Sequence, residues 1–66
     1  MRIENWEVED LAKGGQWVVG QVYGSPSHSD GKYIYTSRIV ELDLEARTVK
    51  TLNSVYELGT PRGGNA

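Results

Sequence analysis

Residues 23–37, YGSPSHSDGKYIYTS, hold the single histidine of the chain, His28, among Ser25, Ser27, Ser29 and Asp30. These are the residue types of a hydrolytic triad, in which a base takes the hydroxyl proton and an acid orients the base. Such a site needs the base at hydrogen-bond distance from its nucleophile, with the third group behind it. Side chains that neighbour one another in one loop seldom meet that demand. Serine, proline, aspartate and glycine are also turn formers, each for its own conformational reason. The stretch therefore reads as a polar loop, and the chain is expected not to be an enzyme. As the start of a metal loop, Asp30 in SDGKYIY offers one carboxylate followed by Lys32, whereas calcium wants several closely spaced oxygens. With no cysteine and one histidine, a structural zinc site has no donor set. GSPSHSDG lacks the Lys-Ser or Lys-Thr pair and the following helix of a phosphate loop. No metal or cofactor is expected.

Aromatic residues carry more information than the loop's polar tip. Tyr23, Tyr33 and Tyr35 flank it, with Lys32 and Arg38 nearby. Tyrosine and arginine anchor binding surfaces because they join a large contact area to a polar end. Aromatic rings beside cations also suit nucleobases. Alternation places Tyr33 and Tyr35 on one face and Ile34 on the other, so the tyrosines either fill a core or present a binding face. The stretch is long for a hairpin connection, which usually has about two to five residues. It is expected to be a recognition loop, with Tyr23, His28, Asp30, Lys32, Tyr33, Tyr35 and Arg38 as the candidate binding residues.

The elements that hold these residues follow a period of two. NWEVED (5–10) alternates Trp6 and Val8 with acids, while Ile3 has the opposite parity and demands a bulge or strand start near Glu4. Gly14-Gly15 suits a hairpin turn, and Leu11-Ala12 allows at most a helical turn before it. QWVVGQVYG (16–24) is rich in β-branched and aromatic residues, and Gly20 within it marks a bend, a bulge or a close backbone approach. KYIYTSRIVELDL is one bent strand or two, with Val40, Leu42 and Leu44 on one face. LEAR (44–47) turns the chain into TVKTL, giving a hairpin over about 39–52. VYELG ends the folded part, with Tyr56 and Leu58 on one face. Trp6 and Trp17 are expected as core pillars. The predicted fold is all-β: a single domain over 1–59 of about five antiparallel strands, in a strongly bent sheet or SH3-like barrel. Residues 60–66 are expected to form a flexible tail.

Sixty-six residues with no disulfide make a thin core, so a homodimer is expected, paired through the strand edge near VKTL. A formal charge of −2 lacks the basic face of a nonspecific nucleic-acid binder. Charge is nonetheless uneven, with Glu4, Glu7, Glu9 and Asp10 against Arg2 in the first ten residues. No apolar run matches a membrane span of about 20 residues, and the first residues lack the basic segment and apolar core expected of a secretory signal. A cytoplasmic protein with no membrane partner is expected.

Trp6, Val22-Tyr23-Gly24, Asp30-Gly31, Thr36-Ser37 and Tyr56-Glu57-Leu58-Gly59 together resemble a pattern in small uncharacterised proteins of bacteriophages and prophages, over residues 6–59. The resemblance implies a host-cell context and transfers no site residues. Phage accessory proteins without enzymatic features often bind and block a host factor, including CRISPR or nucleotide-signalling defences. The expected function is thus inhibition of a host protein, with the acidic first strand and the tyrosine-rich loop as interface. The alternative is a sponge for nucleotides or single-stranded nucleic acid.

Overall fold

The computed structural model describes residues 1–10 and 14–63. The helical turn expected at Leu11-Ala12 lies outside them. The described residues form six strands: β1 (Arg2–Asp10), β2 (Gln16–Tyr23), β3 (Lys32–Tyr35), β4 (Ile39–Asp43), β5 (Thr48–Thr51) and β6 (Val55–Leu58). They make one sheet in the order β3-β2-β1-β6-β5-β4. All neighbours are antiparallel except β1 and β6, which run parallel with Arg2 opposite Glu57 and Ile3 opposite Leu58.

This corrects the expected five-stranded antiparallel sheet or SH3-like barrel. There are six strands, the sheet is mixed, and it is neither closed nor strongly curled. The physical reason is the place of β6. It inserts between β1 and β5 instead of turning back to seal the sheet, so β3 and β4 both remain edges. The dimer edge expected near VKTL is corrected with it, because β5 is paired on both sides, to β4 and to β6.

Local chemistry explains the elements. β1 keeps both Ile3 and Val8 toward the sheet's interior packing by shifting register between Glu4 and Glu7. Asn5 takes the extra residue in the left-handed region, at φ 51°, where asparagine is among the better-tolerated side chains. Opposite the bulge, β2 has Gly20, where an added Cβ would lie 2.7 Å from the Glu4 carbonyl oxygen. Close backbone approach is therefore what Gly20 permits. Gly14 and Gly15 turn β1 into β2 at φ 85° and 96°.

The core joins Ile3, Val18, Val22, Ile34, Val49, Tyr56 and Leu58, with Met1, Trp6, Val8 and Ile39 packed against it. Each fully buried aliphatic side chain here contributes about 1.5–3 kcal/mol. Trp17 is not among them, which corrects its role as a core pillar; Trp6 is half-buried at the core's margin. Val40, Leu42 and Leu44 share alternation but are exposed at the β4 edge. The segment expected to be a flexible tail supplies Thr60, Pro61 and Arg62 to the sheet. The Asn5 amide donates to the Thr60 carbonyl (2.7 Å), the Arg62 amide to the Trp6 carbonyl (2.8 Å), and Trp6 bridges Pro61. Residues 64–66 lie outside the described part.

Candidate functional site

The β2–β3 hairpin presents one face away from the core. Its register sets Val19 opposite Tyr35 and Gln21 opposite Tyr33, and on the other flank Val19 opposite Glu7 and Trp17 opposite Glu9. Directly paired residues point to the same side of a sheet. One surface therefore collects Trp17, Tyr35 and Tyr33 with Glu7 and Glu9. Ile34, of opposite parity, is buried beneath, while Tyr33 and Tyr35 are 45% and 60% exposed. The alternative of tyrosines filling the core is thereby removed.

The rings form a contiguous row. Trp17 meets Tyr35 edge-to-face at 5.6 Å between centroids, and Tyr35 meets Tyr33 at 6.1 Å in the same manner. Such pairs contribute about 0.5–1.5 kcal/mol beyond area burial. Val19 is fully buried although it stands outside the main core cluster, so this face has a small apolar floor of its own. The Trp17 Nε1–H is buried and has no acceptor among the described residues. A buried orphan donor costs about 1–3 kcal/mol, so Trp17 is not placed there for its hydrogen bond.

Arg62 closes the row. Its Nη1 donates to Glu7 Oε1 at 2.7 Å and its Nη2 to the Tyr33 hydroxyl at 2.5 Å. The guanidinium carbon stands 5.6 Å from the Tyr33 ring centre. The Tyr33 hydrogen bond, outweighing some loss of hydration and aided by the charge of Glu7, raises its pKa above the ordinary arginine value.

The other expected binding residues are dispersed. Tyr23 lies at the far end of β2 beneath the Arg2 guanidinium, 4.9 Å from ring centre to carbon. Asp30 ties the loop base, its Oδ1 accepting from the Gly24 amide at 2.9 Å. The Gly31 amide donates to the Val22 carbonyl at 2.7 Å, so the connection proper is 24–31 and Lys32 to Tyr35 belong to strand. His28 and Lys32 are exposed. Arg38 packs over Gly15 in the β1–β2 turn, where an added Cβ would come within 2.8 Å of its Nε. Of the expected set, then, only Tyr33 and Tyr35 meet on the aromatic face.

Trp17 and Arg62 were not among the candidate binding residues, whereas Glu7 belongs to the acidic first strand expected at the interface. Trp17 had a signal: it shares parity with Gln21, and a polar residue in that row marks the outer side. Arg62 had none, because the bonds that hold it come from the far end of the sequence. No group of three or more histidines, aspartates or glutamates among the described residues is arranged to hold a metal ion. Comparison of the chain with protein-family models, curated proteins and solved structures finds no match in any of the three.

Proposed function

We propose that this chain is a non-catalytic protein-binding module whose interface is the outer face of β1, β2 and β3. The observation that carries the reading is the convergence of an exposed aromatic row with the acidic strand on one surface. Aromatic residues with a polar tip are the usual energetic anchors of interfaces. Glu7 and Glu9 beside them add electrostatic steering toward a basic partner. Arg62, the cation already seated there, illustrates the chemistry this face accepts: a guanidinium between a carboxylate and a ring. The same acids count against the nucleic-acid alternative, since phosphates would face Glu7 and Glu9 rather than a basic groove. That the partner is a host protein, such as an antiviral defence component, rests on the resemblance of residues 6–59 to small proteins of bacteriophages and prophages.

Affinity capture from bacterial lysate with wild-type protein and with Tyr33→Ala, Tyr35→Ala and His28→Ala variants tests the proposal. A captured partner should be lost with each tyrosine variant and kept with His28→Ala, all three first shown folded by circular dichroism. Loss with His28→Ala alone would move the site to the loop and sink this reading. A nucleotide that raises the melting temperature would favour the alternative, because a ligand of the native state stabilises it.

A further inference from the structure

The second feature lies away from the aromatic row, where β1, the β4–β5 turn and the segment after β6 meet. A pocket of about 260 Å³ is lined by Trp6, Leu44, Arg47, Leu58 and Pro61. From its construction we infer a binding site for a small carboxylate with one planar apolar ring.

The cation is fixed before any ligand arrives. Arg47 ends the β4–β5 turn with φ 57°, a left-handed conformation uncommon for residues other than glycine and asparagine. Its carbonyl accepts from the Leu58 amide at 2.7 Å. Its Nε donates to the Leu58 carbonyl (3.3 Å) and its Nη2 to the Gly59 carbonyl (3.0 Å). Backbone carbonyls orient the group without neutralising it, and a guanidinium has five N–H donors in a fixed fork. The remaining donors include the Nη1 edge, suited to a carboxylate.

No carboxylate stands within ion-pair distance of Arg47 among the described residues; the two ion pairs found are Arg2 with Glu4 and Arg62 with Glu7. Glu4 packs against Gly59, yet its Oε2 is held by Arg2 at 2.8 Å and its Oε1 by the Thr60 amide at 2.7 Å. It is already satisfied, so among the described residues Arg47 is a positioned positive charge with no carboxylate at ion-pair distance.

The walls select the rest of the ligand. Trp6 donates its indole N–H to the Gly59 carbonyl at 2.9 Å, which locks the ring and leaves its surface as a stacking wall. Leu58 and Pro61 supply an aliphatic floor, and Leu44 stands exposed at the rim. Ligand pockets usually run from about 300 to 1,000 Å³, so this one suits a single ring and excludes a nucleotide. One arginine among apolar walls matches a singly charged carboxylate better than a phosphate, which draws on several donors.

The test uses the full chain, with benzoate and phenylacetate as probes and benzamide and phenylacetamide as their neutral counterparts. Nitrogen–proton correlation spectra should show the Trp6 indole N–H shifting with the acids, at a dissociation constant near or below about 1 mM. The amides should bind at least about tenfold more weakly. Arg47→Gly keeps the left-handed turn and should abolish acid binding. Arg47→Lys keeps the charge but not the fork, and should weaken binding several-fold even if the glycine variant fails to fold. Equal binding of acid and amide, shifts at Trp17 in place of Trp6, or no shift at about 10 mM acid would overturn the proposal.

Discussion

Trp6 and Trp17 carry the same ring and opposite hydrogen-bond fates. Trp6 donates to the Gly59 carbonyl and packs against the core. Trp17 stands on the outer face with its donor buried and unpartnered. Replacing each by phenylalanine removes the donor and keeps an aromatic ring. Trp6→Phe should cost about 1–2 kcal/mol, from one hydrogen bond and some packing. Trp17→Phe removes an orphan donor, and that relief offsets the smaller ring, so the change should stay within about 0.5 kcal/mol. Urea titrations of both variants check this. A larger loss at Trp17 would mean that its indole N–H has a partner and that the residue is structural, which would weaken its assignment to an interface.

At the level of elements, the bulge in β1 and the glycine in β2 are one device. Asn5 leaves the strand register, and Gly20 lets the two backbones come together there. Gly20→Ala would force a methyl to 2.7 Å from the Glu4 carbonyl oxygen and 3.0 Å from the Trp6 Cα. Neither is the end of a flexible side chain. Overpacking of this kind costs about 1–3 kcal/mol or more, and in a domain this small about 1 kcal/mol moves Tm by 4–8 °C. A melting curve should therefore fall by about 5–20 °C; an unchanged Tm would show that the strands can part without loss. Both halves of this device were legible in the sequence, from the mismatched parity of Ile3 against Trp6 and from a glycine in a run of valines. The hairpin over 39–52 was legible too. What alternation cannot report is whether a face is covered. Val40, Leu42 and Leu44 alternate in sequence, but a register shift between Ile39 and Glu41 breaks that parity, so Leu42 pairs with buried Val49 while all three remain exposed. Tyr33 and Tyr35 lie open because their face of β3 is turned away from the core, while Ile34 on the same strand is buried.

For the whole molecule, the decisive contact joins the two ends of the chain. The strands β3-β2-β1 and β6-β5-β4 meet within the sheet only where β1 and β6 pair, and that pairing is the least local in the fold. Local hairpins announce themselves in sequence through turns, whereas a parallel ladder between residues 2 and 57 has no such signal. The ladder also continues past β6. The Glu57 and Gly59 amides donate to the Met1 and Ile3 carbonyls, then the Asn5 amide to the Thr60 carbonyl and the Arg62 amide to the Trp6 carbonyl. Deleting residues 60–66 would remove the last two of these bonds, the Thr60 amide bond to Glu4 and the Arg62–Glu7 pair. Three such backbone-donor hydrogen bonds at about 0.5–1.5 kcal/mol each come to roughly 1.5–4.5 kcal/mol. That is a large share of the stability of a small domain, about 5 kcal/mol at the low end. Arg62→Ala leaves the backbone ladder intact and loses only solvent-screened, exposed side-chain contacts, so it should lower the denaturant midpoint much less than the truncation does. Denaturant midpoints of the truncated chain and of Arg62→Ala, measured against wild type, separate the two contributions. A truncation no more harmful than the point substitution would show that β6 alone joins the halves, and that the segment after it serves only to seat Arg62 on the aromatic face.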